Sequence, residues 1–91
     1  MKNPTNQTAE VLYEILNNES VSRKDILIST GVLNPTARIA DLRIRHGLDI
    51  TCESVKTRNK FSRQVTFGMW SIRGQENIEK AHAVYNQINT N

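Results

Sequence analysis

Cysteine occurs once in these 91 residues, at position 52. A lone cysteine excludes an internal disulfide and a cysteine-rich zinc site, and Cys52 is read as a small core residue, an incidental exposed thiol being the alternative. Aromatic residues are scarce, at 5%, so the core must be built chiefly from aliphatic side chains and has little apolar area to spare. No run approaches the roughly 18 to 20 apolar residues needed to cross a bilayer. The start MKNPTNQTAEVLYEI lacks the basic and then apolar sections of a secretion signal. The expectation is a cytoplasmic protein without membrane association, in which the sequons at Asn6 and Asn18 are coincidental. Catalytic signatures are missing as well: there is no nucleophile arrangement, no pairing of carboxylates and no phosphate loop. His46 and His82 stand far apart in the chain. No enzyme, metal, cofactor or small-molecule ligand is therefore expected.

What is present is positive charge, and its distribution matters more than its net value of +3. Met1 to Val21 holds one basic residue against three acidic, whereas Ser22 to Arg63 holds nine basic against four acidic. Charge concentrated in the middle of a small domain is what a nucleic-acid footprint requires, although a basic solvated face has the same composition.

Along the chain, Thr8 is a candidate cap for a first helix from about Ala9 to Asn17, with Val11, Leu12, Ile15 and Leu16 at helical spacing. NNESV interrupts it. Ser22-Arg23-Lys24-Asp25 then has the form of a capping box and opens a short second helix that stops near Gly31. In the turn STGVLN, Gly31 suits the left-handed conformation that ends a helix, and Asn34 is positioned to cap the next. Pro35 occupies a first helical position, where its missing N–H costs nothing. The third helix runs from Pro35 to about His46 and stops at Gly47.

Beyond it, LDITCESVK and RQVTFGMWSI alternate as half-buried strands do, joined by the polar, basic TRNKFS, with Asn59 suited to positive φ at the tip. Three helices and a two-stranded β-hairpin make a winged helix-turn-helix of the α+β class. Trp70, after an apolar strand, is read as closing the core behind helix three. Gln75 to Asn89 adds a C-terminal helix with an apolar stripe. The whole chain, 1–91, reads as a single domain: a tail over 1–7, the winged helix-turn-helix over 8–72 and the extra helix over 75–89.

Thr36-Ala37-Arg38-Ile39-Ala40-Asp41-Leu42-Arg43, followed by Gly47 and Ile50, resembles the phage and prophage helix-turn-helix domain family, whose members carry a TARI-x-x-LR core, a glycine and a β-wing. The resemblance spans about Thr8 to Ile72 and is strongest from Asn34 to Ile50. It implies a winged-helix DNA-binding protein of viral or mobile-element origin. The chain departs from the family's pattern in having no glycine at the hairpin tip and in its C-terminal helix.

On a helical wheel the third helix turns Pro35, Ile39, Leu42 and His46 to one side and Ala37, Asp41 and Ile44 to the other. His46 is accordingly a partly buried histidine near the negative end of the helix dipole. In a helix-turn-helix the outer residues of this helix reach base edges in the major groove, which selects Thr36, Ala37, Arg38, Ala40 and Asp41. Small Ala37 and Ala40 allow close approach, and Arg38 has the planar fork that matches guanine; its plain alternative is a surface pair with Asp41. Arg45, a turn beyond Asp41, belongs to the expected DNA-contacting set as well and is a second partner for that carboxylate. Arg43 is read as a phosphate clamp or an ion-pair partner. Ser22, Arg23 and Lys24 place the start of helix two on the DNA as well.

The hairpin carries Lys56, Arg58, Lys60 and Arg63, read as phosphate contacts or, more plainly, as charges that keep a strand edge from aggregating. Phe61 at its tip either wedges into a groove or covers core. The stripe Ile78, Ala81, Tyr85 and Ile88 either packs on helix one or pairs two copies in a homodimer. Double-stranded DNA is the expected partner, and a promoter-binding regulator the leading role. The alternatives are an architectural binder of the excisionase type and an antirepressor-like protein-interaction module.

Overall fold

The computed structural model describes residues 1–89. They form an α+β arrangement of four helices and a three-stranded antiparallel sheet: α1 (Gln7–Leu16), β1 (Val21–Ser22), α2 (Arg23–Thr30), α3 (Pro35–Arg45), β2 (Thr51–Arg58), β3 (Gln64–Ser71) and α4 (Gln75–Ile88). The strand order is β1-β3-β2.

The helix boundaries follow local chemistry, with two corrections. Helix α1 begins earlier than the signal at Thr8 suggests, because Asn6 is the cap: its side chain accepts from the Ala9 amide at 2.8 Å. Helix α2 opens with the full capping box, Ser22 Oγ accepting from Asp25 N (3.1 Å) and Ser22 N donating to Asp25 Oδ2 (2.9 Å). It ends at Gly31, whose φ of 76° is the left-handed conformation that suits glycine. Pro35 opens α3, but Asn34 makes no side-chain cap bond. Here the fixed φ of proline sets the helical start without help from the preceding side chain.

Sheet and helices share one core: Val11, Leu12 and Ile15 from α1, Ile26 from α2, Val32 from the turn, Ile39 and Leu42 from α3, then Leu48, Ile50 and Trp70. Trp70 stands opposite Val21 on one side and Cys52 on the other. Strand β1 is the element that sequence periodicity misses. Two residues are too few to show a period, and their pairing with Met69 and Trp70 depends on chain far away in sequence.

Helix α4 packs on α1, the first of the two alternatives for its apolar stripe. Ala81 and Tyr85 are fully buried and Ile78 and Ile88 half-buried. The stripe is therefore a seam within the chain. Val84 is buried with it. The N-terminal segment, read as a tail, is bound to the end of this helix. The Tyr85 hydroxyl donates to Lys2 O at 2.5 Å, and the Asn89 side chain donates to Asn3 O at 3.0 Å while accepting from Thr5 N at 2.7 Å.

The hairpin β2–β3 extends past the helices. From Cys52 to Arg58 every residue is exposed, on both faces of the strand. Cys52 is consequently an exposed thiol and not a core residue. Its alternation with Ile50 continues a true pattern to a point where no layer remains to cover it. The tip also differs from expectation. Ser62, not Asn59, has positive φ, at 63°. Asn59 acts through its side chain, Oδ1 accepting from both Phe61 N (2.9 Å) and Arg63 N (3.1 Å).

Candidate nucleic-acid interface

Two side-chain sets make up the candidate surface, one on the helix pair α2–α3 and one on the hairpin. On α3 the burial of Pro35, Ile39 and Leu42 turns Thr36, Ala40, Ile44 and Arg45 outward, with Ala37, Arg38 and Asp41 partly covered. Arg38 Nη2 lies 3.5 Å from Asp41 Oδ2, and Arg45 Nε lies 3.9 Å from Asp41 Oδ1. One carboxylate thus stands between two guanidinium groups on consecutive turns. Both are surface pairs, of the kind worth about 0.2 to 1 kcal/mol.

Arg43 has a structural contact that sequence reasoning did not foresee. Its Nη2 donates to the Ile50 carbonyl at 2.6 Å, tying the end of α3 to the start of the hairpin. Gly47, with φ of 62°, makes the turn between them. Lys80 of α4 donates to the Gly47 carbonyl at 2.8 Å from the other side. The relative placement of α3 and hairpin is held by these bonds.

At the start of α2, Arg23 and Lys24 are exposed but Ser22 is buried. With its hydroxyl and amide both engaged in the capping box, Ser22 supports the helix end and is not a free contact.

On the hairpin, strand alternation and the unbroken register Cys52↔Trp70, Ser54↔Gly68, Lys56↔Thr66, Arg58↔Gln64 put Lys56 and Arg58 on the face that Trp70 turns to the core. The other face carries Val55, Phe67 and Met69, with Glu53 bridged to Arg73 at 2.5 Å. Among the described residues, none of Arg23, Lys24, Lys56, Arg58, Lys60 and Arg63 belongs to an ion pair. The acidic residues of the same stretch are mostly occupied: Asp25 in the capping box, Asp41 between two arginines, Glu53 with Arg73. The positive charge of the hairpin is left unneutralised.

Apolar exposure on the helix pair extends beyond Ile44, which the helical wheel already turned outward. Ile28 (73% exposed), Leu33 (78%) and Ile44 (83%) are uncovered. Leu27 and Leu33 line an open groove of about 810 Å³ with Phe67, Met69 and the basic side chains of Arg23 and Lys24. The weak amphipathicity of α2, which buries Ile26 alone, was the available signal. No group of three or more metal-ligating side chains comes together among the described residues, and none of their helices is long and apolar enough to cross a membrane. No family model matches the chain, and no curated protein matches its sequence.

Proposed function

We propose that the chain is a sequence-specific double-stranded DNA-binding protein of the winged helix-turn-helix type, acting as a transcriptional regulator of a phage or mobile element. The observation that carries this is the set of six exposed cations, on the first turn of α2 and along the hairpin, that have no carboxylate partner among the described residues. In this proposal α3 lies in the major groove, the hairpin is the wing, and Lys56, Arg58, Lys60 and Arg63 meet phosphates.

Three features support it. The element order α1-β1-α2-α3-β2-β3 and strand order β1-β3-β2 suit a winged helix. Arg23 and Lys24 occupy the first turn of α2, where cations oppose the helix dipole by about 0.3 to 1 kcal/mol; a phosphate docked there turns that cost into attraction. The pairs that hold Arg38 and Arg45 on Asp41 are weak enough for a base edge or phosphate to displace.

The exposed Ile28, Leu33 and Ile44 favour a second use, as a protein-interaction module of the antirepressor kind. Titration of a labelled random-sequence duplex with the protein at rising salt separates the two. The DNA-binding role requires affinity that falls steeply with salt, with a log–log slope of about −0.9 for each phosphate neutralised. Absent or salt-indifferent affinity overturns it and leaves the protein-interaction role.

A further inference from the structure

We propose that Phe61 is a base-stacking wedge: an aromatic side chain that the wing tip inserts between base pairs of duplex DNA from the minor groove. The proposal rests on the DNA-binding role above and adds a contact to the bases themselves, made by the hairpin. Phe61 is 78% exposed at the end of a hairpin that has already left the core behind. It covers nothing in this chain, which removes the structural role that sequence reasoning allowed it.

The tip fixes the backbone from which that side chain projects. Asn59 Oδ1 binds the amides of Phe61 and Arg63, Ser62 N donates to Asn59 O at 3.0 Å, and Asn59 N donates to Arg63 O at 2.9 Å. Arg58 reaches across the turn to donate to Ser62 O at 2.8 Å. Ser62 is held at a φ of 63° that side chains other than glycine rarely adopt. A loop so thoroughly bonded, with a residue kept in an unfavourable conformation, projects Phe61 from a defined backbone position, and strain of this kind persists where the surroundings over-determine it.

The flanking chemistry matches one ligand. Lys60 Nζ lies 5.1 Å from the Phe61 ring centroid, and Lys56, Arg58 and Arg63 are exposed cations on the same end of the hairpin. Phosphates rim the minor groove on both strands, and its width of about 6 Å admits a ring edge. Apolar wedges flanked by cations unstack base steps there and kink the duplex, most readily at flexible pyrimidine–purine steps.

The test uses the intact protein and a 30-base-pair duplex with several TA steps, each carrying 2-aminopurine, whose fluorescence rises when it is unstacked. Binding is followed in parallel by anisotropy. Wild-type protein should raise the emission severalfold. Phe61→Ala should abolish the rise and weaken binding about tenfold, with the salt slope unchanged because the net charge stays the same. Phe61→Trp should restore both. Circular dichroism of the variants should match wild type, since the side chain packs on nothing in the core. Binding with a steep salt slope but flat emission, or full emission with Phe61→Ala, overturns the wedge and leaves the DNA-binding role intact. Absence of duplex binding overturns both.

Discussion

Arg38 and Asp41 face each other across one turn of α3, Nη2 to Oδ2 at 3.5 Å, with about a third of each side chain exposed. Asp41 also attracts Arg45 from the following turn. The arrangement holds Arg38 close to the helix surface when the protein is free, and gives up little when the guanidinium turns to another acceptor. Under the proposed DNA-binding role, Asp41 would act on affinity in two ways, by restraining two cations and by repelling phosphates.

Arg38→Ala should cost about 1 to 3 kcal/mol on a duplex selected for tight binding and much less on random duplex, because a bidentate guanine contact exists only in the right sequence. Comparative anisotropy titrations on the two duplexes measure this. Equal losses on both would reduce Arg38 to a phosphate contact. Asp41→Asn should raise random-duplex affinity and narrow the gap between the two.

Changing Lys56, Arg58, Lys60 and Arg63 together to Ser should weaken selected and random duplex alike and flatten the salt slope by about 0.9 for each phosphate that is no longer neutralised. The same titrations over a range of salt read it. An unchanged slope would mean that the hairpin never touches DNA.

Ser22→Ala should lower stability by about 1 kcal/mol through loss of the cap, while the variant that remains folded binds duplex with wild-type affinity. Urea unfolding gives the first quantity and titration in the folded range the second. A loss of affinity with stability intact would make Ser22 a direct contact after all.

Removing Gln75 to Asn91 should abolish cooperative unfolding. The deletion bares the face of α1 on which Ala81, Val84 and Tyr85 are buried, and a core this small has no surplus to absorb the loss. Thermal melts followed by circular dichroism check it. A sharp transition in the truncated chain would show α4 to be an accessory.

Tyr85→Phe should cost about 0.5 to 1.5 kcal/mol at neutral pH, the worth of the hydrogen bond to Lys2 O. It should also alter the alkaline limb of the stability curve. Burial, with Tyr13 beside it adding to the effect, raises the Tyr85 phenol above its usual value near 10. The native state keeps its proton where the unfolded chain has lost it. This contribution is complete below about pH 10 and disappears as pH rises through the native value. Urea titrations from pH 8 to 11 should show wild type falling more steeply than Tyr85→Phe above pH 10, and parallel curves would refute the assignment.

The residues named for α3 illustrate how far local pattern reaches. Ile39 and Leu42 are buried, and Asp41 pairs with both Arg38 and Arg45, all of it legible from a periodicity of 3.6 and spacings of three and four. Arg43 shows where that reach ends. Its partner, the Ile50 carbonyl, lies beyond the helix, and nothing in the helical pattern of α3 points to it.

The chain's own sequence thus determined what depends on neighbours a few residues away: the capping box of Ser22 and Asp25, the glycine stop at Gly31 and the proline start of α3. Those features arise from backbone donors and side chains within one turn, so they are written locally. Tertiary structure alone decided the pairing of Val21 with Trp70, the exposure of Cys52 and Phe61, and the burial of the α4 stripe on α1. In each of these an apolar or polar pattern says only that a surface needs a cover. Which segment supplies it, or whether the chain runs out before one can, depends on how distant elements share one limited core.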